Sequence, residues 1–258
     1  MKIGILYIAL GKYTVLWKDF YLSSEKYFME SEDKEYFVFT DDPGLYANDK
    51  SNVNIIQQHD MGWPYNTLLR FQMFQKHRQQ YEHTDYLFFF NANLEFIKPI
   101  NKEFLLDNAN LLCVRHPGFR NVKNVNYFPY CRQKKSTAYI PYNEGKDYVQ
   151  GALNGGKTEA FLTLIETLAL NVKEDLNNKI IAEVHDESHL NKYILNRNDV
   201  KILGAEYVYP EGWELEEEPQ IISREKSKYF DVTKSKRMSL FERYLQIKNK
   251  IMLLRYGR

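Results

Sequence analysis

The apolar positions of the first hundred residues fall into short continuous runs separated by segments of helical spacing. Ile3 to Leu10 is almost unbroken, the pattern of a strand buried on both faces, and Gly11-Lys12-Tyr13 turns the chain after it. Trp17 to Met29 predicts a helix whose apolar side is mostly Trp17, Phe20, Tyr21 and Phe28. Glu35 to Thr40 reads as a second strand, stopped by Asp41-Asp42-Pro43-Gly44, and Val53 to Gln57 as a short third. Tyr65 to Tyr81 predicts the next helix, with Leu69, Phe71 and Phe74 on or near one side, and Tyr86 to Phe90 the next strand. Strand, helix, strand, strand, helix, strand is the order of an α/β sheet with parallel pairs. Ligands of such sheets bind beyond the carboxyl ends of the strands, where Leu10, Gly11 and Asn91 would lie.

The pattern then loosens. Residues 97–155 are rich in proline, glycine, asparagine and tyrosine, which predicts loops that build or cover a site. Gly151-Ala152-Leu153-Asn154-Gly155-Gly156 ends that region. Glycine lets backbone approach a ligand closely, yet no Rossmann or P-loop fingerprint is present. Thr158 to Asn171 predicts a helix with Phe161, Leu162, Ile165 and Leu168 inward, and a second helical stretch covers about 175–183. Asp186 would cap a further helix holding Glu187 in its first turn and turning Leu190, Tyr193 and Ile194 to the core. Val200 to Leu203 and Glu206 to Tyr209 read as strands, and Leu240 to Leu254 as a basic amphipathic helix. There is no internal repeat.

Composition changes this picture in three places. The 258 residues are 44% hydrophobic, enough for one substantial core. Net charge is only +1, but the segment from Arg224 to Arg258 carries 11 Lys or Arg against 3 acids, leaving 24 basic against 31 acidic side chains elsewhere. A basic tail on an acidic body suits substrate phosphates or an anionic membrane surface, so peripheral membrane association is an expectation. Without a recognisable nucleic-acid module, nucleic acid is not an expected partner. Cys113 and Cys131 lack metal-ligand spacing and suit a reducing cytosol. The apolar run from Ile3 to Leu10 is too short to span a bilayer, and the expected location is cytoplasmic.

Candidate chemistry sits at two points. In Phe88-Phe89-Phe90-Asn91-Ala92-Asn93-Leu94-Glu95-Phe96 an apolar strand emerges into two amides. Asn91 and Asn93 can donate and accept hydrogen bonds but bring no charge to hold a metal ion. Asp186 and Glu187 are adjacent carboxylates between His185 and His189. Neighbours on a helix face different directions, so one can anchor a substrate hydroxyl while the other reaches a reacting carbon; an ordinary acidic first turn is the plain alternative. The two histidines are four apart, but Asp186 stands where the metalloprotease pattern needs glutamate and no third ligand is evident, so zinc is disfavoured. His116 lies in the irregular region as a candidate sugar-hydroxyl partner. Arg70 alone could be a plain surface residue, and Lys226, Lys228, Lys234, Lys236 and Arg237 could clamp a diphosphate if the tail folds back.

From Ile8 to about Trp213 the chain resembles the retaining glycosyltransferases that include the blood-group A and B transferases and the α-1,3-galactosyltransferase, above all their bacterial branch. The resemblance rests on His-Asp-Glu-Ser-His-Leu-Asn-Lys-Tyr from His185 to Tyr193, supported in order by Tyr36 to Asp41, His116 to Phe119, Tyr139 to Pro141 and Gly151 to Gly156. It implies a single α/β catalytic domain of the GT-A type with a Rossmann-like, mainly parallel sheet over residues 1–222, and a basic tail over 223–258 that closes on the donor site within the same unit. It implies that Ile8, Leu10 and Tyr13 cradle the uracil and ribose of a UDP-sugar, with Ala92 at the ribose. Arg70 and Asp186 would contact the donor sugar, Gln150, Gly151 and Ala152 would line it, and Gln150 and Ala152 would sort N-acetylgalactosamine from galactose. His116 would bind the acceptor, Val184 replaces an acceptor-lining tryptophan of mammalian relatives, and Glu187 is the catalytic carboxylate that also faces the acceptor. Asn91 and Asn93 replace two metal-binding aspartates, as in a bacterial branch that works without metal; Lys234 loosely matches a tail lysine near the diphosphate.

The expected activity is therefore metal-free transfer of N-acetylgalactosamine from UDP-GalNAc to the 3-hydroxyl of a galactose-terminated, often fucosylated acceptor, with the α configuration retained and no cofactor. UDP-galactose is the alternative donor. A non-catalytic binder of nucleotide sugar or glycan would not require a carboxylate at the reacting carbon, and a retaining glycosidase would need a second acid that is not apparent.

Overall fold

The computed structural model describes residues 1–105 and 108–231. Strands β1 (Lys2–Ala9), β2 (Asp33–Thr40), β3 (Val53–Gln57), β4 (Tyr86–Phe90), β5 (Leu94–Phe96), β6 (Leu111–Arg115), β7 (Val149–Lys157), β8 (Val200–Leu203), β9 (Tyr209–Pro210) and β10 (Ile221–Ser223) alternate with helices α1 (Trp17–Tyr27), α2 (Tyr65–Leu68), α3 (Arg70–Lys76), α4 (Thr158–Asn177) and α5 (His185–Ile194). Seven strands form one sheet in the order β3-β2-β1-β4-β7-β6-β8, and β5, β10 and β9 form a small second sheet. β1, β2, β3 and β4 run parallel, as do β6 and β8. β7 is antiparallel to both of its neighbours.

The apolar runs that predicted strands are buried on both faces. Ile3, Ile5, Tyr7, Phe88 and Phe90 face α1 and the small sheet, while Leu6, Leu87 and Phe89 face α3, α4 and α5. Alternate residues of one strand thus enter two cores, which is why the runs show no polar alternation. The chain order reverses between β1 and β4, so a crevice opens beyond their carboxyl ends. Because β7 is antiparallel, its beginning arrives at that same edge: Phe90 pairs with Leu153, and the N–H of Asn91 donates to the carbonyl of Ala152 at 2.8 Å.

Several expectations change. The segment read as loops over 97–155 contains β6 and β7, and β7 includes the glycine-rich stretch itself. Gly155 there serves the sheet rather than a ligand: a Cβ would lie 2.4 Å from the Leu87 carbonyl oxygen. The single helix expected over 65–81 is α2, α3 and a 3-10 turn at Arg78–Gln80, because the backbone leaves helical geometry at Leu69 and His77. The separate helix expected over 175–183 does not form; α4 continues unbroken to Asn177. Most of Glu206 to Tyr209 is a 3-10 turn, Ala205–Val208, rather than a strand. The helix read over 240–254 lies outside the described residues. Among the described residues no helix is long and apolar enough to cross a membrane.

The close approach at Gly155 yields a stability prediction. Gly155→Ala pushes a methyl against β4 backbone that cannot yield cheaply, and should cost about 2 kcal/mol or more in urea unfolding. An unchanged midpoint would refute the assigned β4–β7 register.

Candidate active site

The crevice beyond β1 and β4 is a cavity of about 490 Å³. Its wall takes Ile8 and Leu10 from the end of β1, Tyr13 from the following 3-10 turn, Asn91 and Ala92 from the end of β4, and Gln150, Gly151 and Ala152 from the start of β7. Arg70 reaches it from the first residue of α3, and Val184, Asp186 and Glu187 from the N-terminal end of α5. A second depression of about 470 Å³ lies among Lys2, Glu25, Asp33, Lys34 and Glu35. It opens at the amino ends of β1 and β2, and its charges pair with one another, as in Lys2–Glu35 and Lys34–Glu25. The first cavity is where the sheet topology places a ligand.

Glu187 is held at both oxygens. The Tyr148 hydroxyl donates to Oε1 at 2.5 Å and the N–H of Gly151 to Oε2 at 2.7 Å. The Gly151 carbonyl accepts from Arg70 Nη1 at 2.9 Å and from Asn154 Nδ2 at 3.2 Å. Asn191 fixes α5 against β7 by accepting from Val149 N–H at 3.0 Å and donating to the carbonyls of Val149 and Glu187, both at 2.9 Å. Asp186 is only 1% exposed and ion-paired with Arg70, whose guanidinium lies 4.4 Å from the Phe89 ring centre. Asp186 is therefore not the helix cap expected from sequence. Val184 holds the cap position, its N–H donating to Ser188 Oγ at 3.0 Å, and His185 opens α5 with φ +51°.

Burial dominates the charges. It pushes the Glu187 carboxyl up to about 7 against the lowering pull of Tyr148, Gly151 and Arg70, and Asp186 up to about 6 against Arg70 and its backbone donors. His116 does not line the cavity. It packs on Tyr148, with ring centres 5.7 Å apart, and burial lowers it to about 4. Asn93 is also not part of the wall: 6% exposed, it accepts from Asn91 Nδ2 at 2.9 Å and donates to Ser223 Oγ at 3.0 Å and the Arg224 carbonyl at 2.9 Å. His185 meets Trp63 at the cavity, while His189 turns into the core toward Asp175, 3.7 Å away, so the two histidines do not converge. Lys234 lies outside the described residues.

Lys226, one of the grouped lysines of the basic tail, does reach the wall, 5.3 Å over the Tyr13 ring. The cavity also uses residues that the sequence reading passed over. Lys12 comes from the turn after β1, and Asp60, Trp63, Asn66 and Thr67 from the loop after β3 and the start of α2. The Asp60-Met61-Gly62-Trp63-Pro64 string, with a turn glycine and an aromatic ahead of a helix, was the available signal. Nothing in the sequence separates Tyr148 from the other 19 of the 20 tyrosines.

The sequence profile described as glycosyltransferase family 6 matches residues 1–237. The chain is 38% identical over 228 residues to the O-antigen biosynthesis glycosyltransferase WbnI of Escherichia coli, covering 88% of this chain and 96% of that protein. It is 34% identical over 223 residues to the histo-blood group ABO system transferase 1 of Rattus norvegicus, and 31% over 217 residues to the globoside α-1,3-N-acetylgalactosaminyltransferase 1 of Canis lupus familiaris. Those matches cover 82% and 81% of this chain but only 62% and 61% of the mammalian proteins, so the chain spans about three fifths of their length.

The buried carboxylate gives a pH prediction. The folded value of Glu187 lies above its ordinary 4.5, so the folded state holds more protons between 4.5 and about 7, and stability falls as pH rises through that window. The melting temperature should decline from pH 5 to pH 8 on this account, with Asp186 contributing in the same direction. Glu187→Gln should flatten the decline. An equally steep decline in that variant would refute the buried-carboxylate assignment.

Proposed function

The chain belongs to glycosyltransferase family 6, and on that premise we propose that it moves N-acetylgalactosamine from UDP-GalNAc to the 3-hydroxyl of a galactose-terminated acceptor, retaining the α configuration and using no metal. The observation that carries this reading is Glu187, whose carboxylate is fixed by Tyr148 and Gly151 in a cavity shared with the Arg70–Asp186 pair. A carboxylate held on both oxygens suits a reacting centre that becomes oxocarbenium-like. Arrival of positive charge beside it favours its ionised form, offsetting the desolvation that raises it. It stabilises that centre or attacks it; both routes retain configuration.

The donor diphosphate needs counter-charge as UDP leaves. Two neutral amides do not offer the charged oxygens that a divalent cation prefers, and the amide of Asn93 is already engaged on three sides. The Asp186 carboxylate is committed to Arg70. No cluster of three or more His, Cys, Asp or Glu among the described residues could hold a metal ion. Lys12 and Lys226 supply cationic donors at the wall instead, and we assign them the role of offsetting diphosphate charge. The donor preference rests on Gln150, whose buried Oε1 has no hydrogen-bond partner among the described residues, and on Ala152, which leaves room for an acetamido group. An N–H of that group would satisfy the orphaned acceptor. The two relatives named for α-1,3-N-acetylgalactosamine transfer and for O-antigen biosynthesis are consistent with this choice and with a surface glycan as acceptor.

Activity should persist in excess EDTA, measured as product formation from UDP-GalNAc and a galactoside; a strict requirement for added Mn²⁺ would end the metal-free reading. Under the same conditions Glu187→Gln should lower kcat by on the order of 10²-fold or more. Retention of near-full kcat would remove Glu187 from its role.

A further inference from the structure

We propose that Asn93 is a positioning residue rather than a donor ligand: its side-chain amide latches the segment that carries Lys226 into the cavity. This rests on the role assigned to Lys226 above. The side chain has three partners, of which only Asn91 lines the cavity. Its Oδ1 accepts from Asn91, and its Nδ2 donates to both Ser223 Oγ and the Arg224 carbonyl. Its own backbone carbonyl accepts from the Arg224 N–H at 2.8 Å. The polypeptide from Ser223 to Arg224 is thus hydrogen-bonded to one residue from three directions. Lys226 follows two residues later, at the start of a short 3-10 turn over Tyr13.

Arg224 completes the anchor below. It is 3% exposed, ion-paired with Asp19 at 2.8 Å and Glu95 at 3.4 Å, and donates to the Leu16 carbonyl at 3.1 Å. Those contacts fix where the segment leaves β10; the Asn93 amide fixes how its backbone turns toward the cavity. The chemistry demanded at position 93 is hydrogen-bond donation. Aspartate has the same shape and no hydrogens to give, and it would set a carboxylate against the Arg224 carbonyl. An amide here and a lysine at position 226 are therefore one device, and neither delivers its benefit without the other.

The test uses the full chain. Asn93→Asp should raise the KM for UDP-GalNAc about tenfold, as expected for two lost buried donations, and lower kcat as well, because Lys226 also offsets charge on the leaving UDP. Lys226→Ala should have a similar effect, and the double variant should be no worse than the worse single one, because both remove the same contact. Limited trypsin digestion gives a readout besides activity: cleavage after Arg224 and Lys226 should accelerate in Asn93→Asp. Ser223→Ala, which removes one acceptor and keeps the fold, should show a weaker version of both effects. Wild-type cleavage and wild-type KM in Asn93→Asp would overturn the proposal. So would fully additive effects with Lys226→Ala, or activation of Asn93→Asp by Mn²⁺ without faster cleavage, which would place position 93 at the ligand. A Lys226→Ala enzyme with wild-type donor KM would instead remove Lys226 from the diphosphate, while the trypsin result would still decide the latch.

Discussion

The peptide group of Gly151 is the point on which the cavity depends. Its N–H holds one oxygen of Glu187, and its carbonyl takes a hydrogen bond from Arg70, which is itself paired with Asp186. Three charged side chains from two distant parts of the chain, the starts of α3 and α5, are thereby set by one unit of strand backbone. The packing leaves little room for a side chain there: a Cβ on Gly151 would lie 3.3 Å from Asp186 Oδ2 and 3.6 Å from both Arg70 Nη2 and Glu187 Cβ. The antiparallel insertion of β7 makes this possible, because it delivers the beginning of a strand to the edge where the parallel strands β1 and β4 end. A parallel strand in the same place would present its last residues, and the Gln150-Gly151-Ala152 sequence would sit at the far side of the sheet.

Placing these charges together is costly, and the structure shows how the cost is contained. Asp186 and Arg70 are both nearly inaccessible, and a buried pair of this kind is weak as a source of stability once desolvation is counted. Its value lies in geometry. The pair neutralises itself, and the cation–π contact with Phe89 gives the guanidinium one orientation. Glu187 forms no ion pair and is hydrogen-bonded by neutral donors, while burial raises it above its ordinary range as it does Asp186. Two adjacent carboxylates thus acquire separate surroundings, one locked in an ion pair and one held by a hydroxyl and a backbone N–H.

Which parts of this were legible in the sequence follows from the same physics. The strands β1 and β4 were visible because burial on two faces writes an uninterrupted apolar run, as in Phe88-Phe89-Phe90. β7 was hidden because Gly151, Gly155 and Gly156 are there for close approach by neighbouring groups, and glycine otherwise signals a turn. Of the residues singled out in the sequence, Asp186 and Glu187 line the cavity, whereas Asn93 and His116 do not. Periodicity cannot register such a displacement, since it depends on hydrogen bonds made across 130 residues of sequence, as between Asn93 and Ser223. Lys12 escaped notice for a similar reason: its neighbour at the cavity, Lys226, is distant in the chain.

His116 illustrates how a residue outside the wall is tied to one inside it. Burial keeps its imidazole neutral at pH 7, and Nδ1 accepts from the Gly118 N–H at 3.0 Å. An accepting Nδ1 in a neutral ring fixes the proton on Nε2, so the side chain presents a donor there and no charge. Its ring packs on Tyr148 and Phe119, and Tyr148 in turn donates to Glu187. The aromatic packing around His116 and the hydroxyl that steadies Glu187 belong to one cluster, so the imidazole and the cavity carboxylate are set by the same rings.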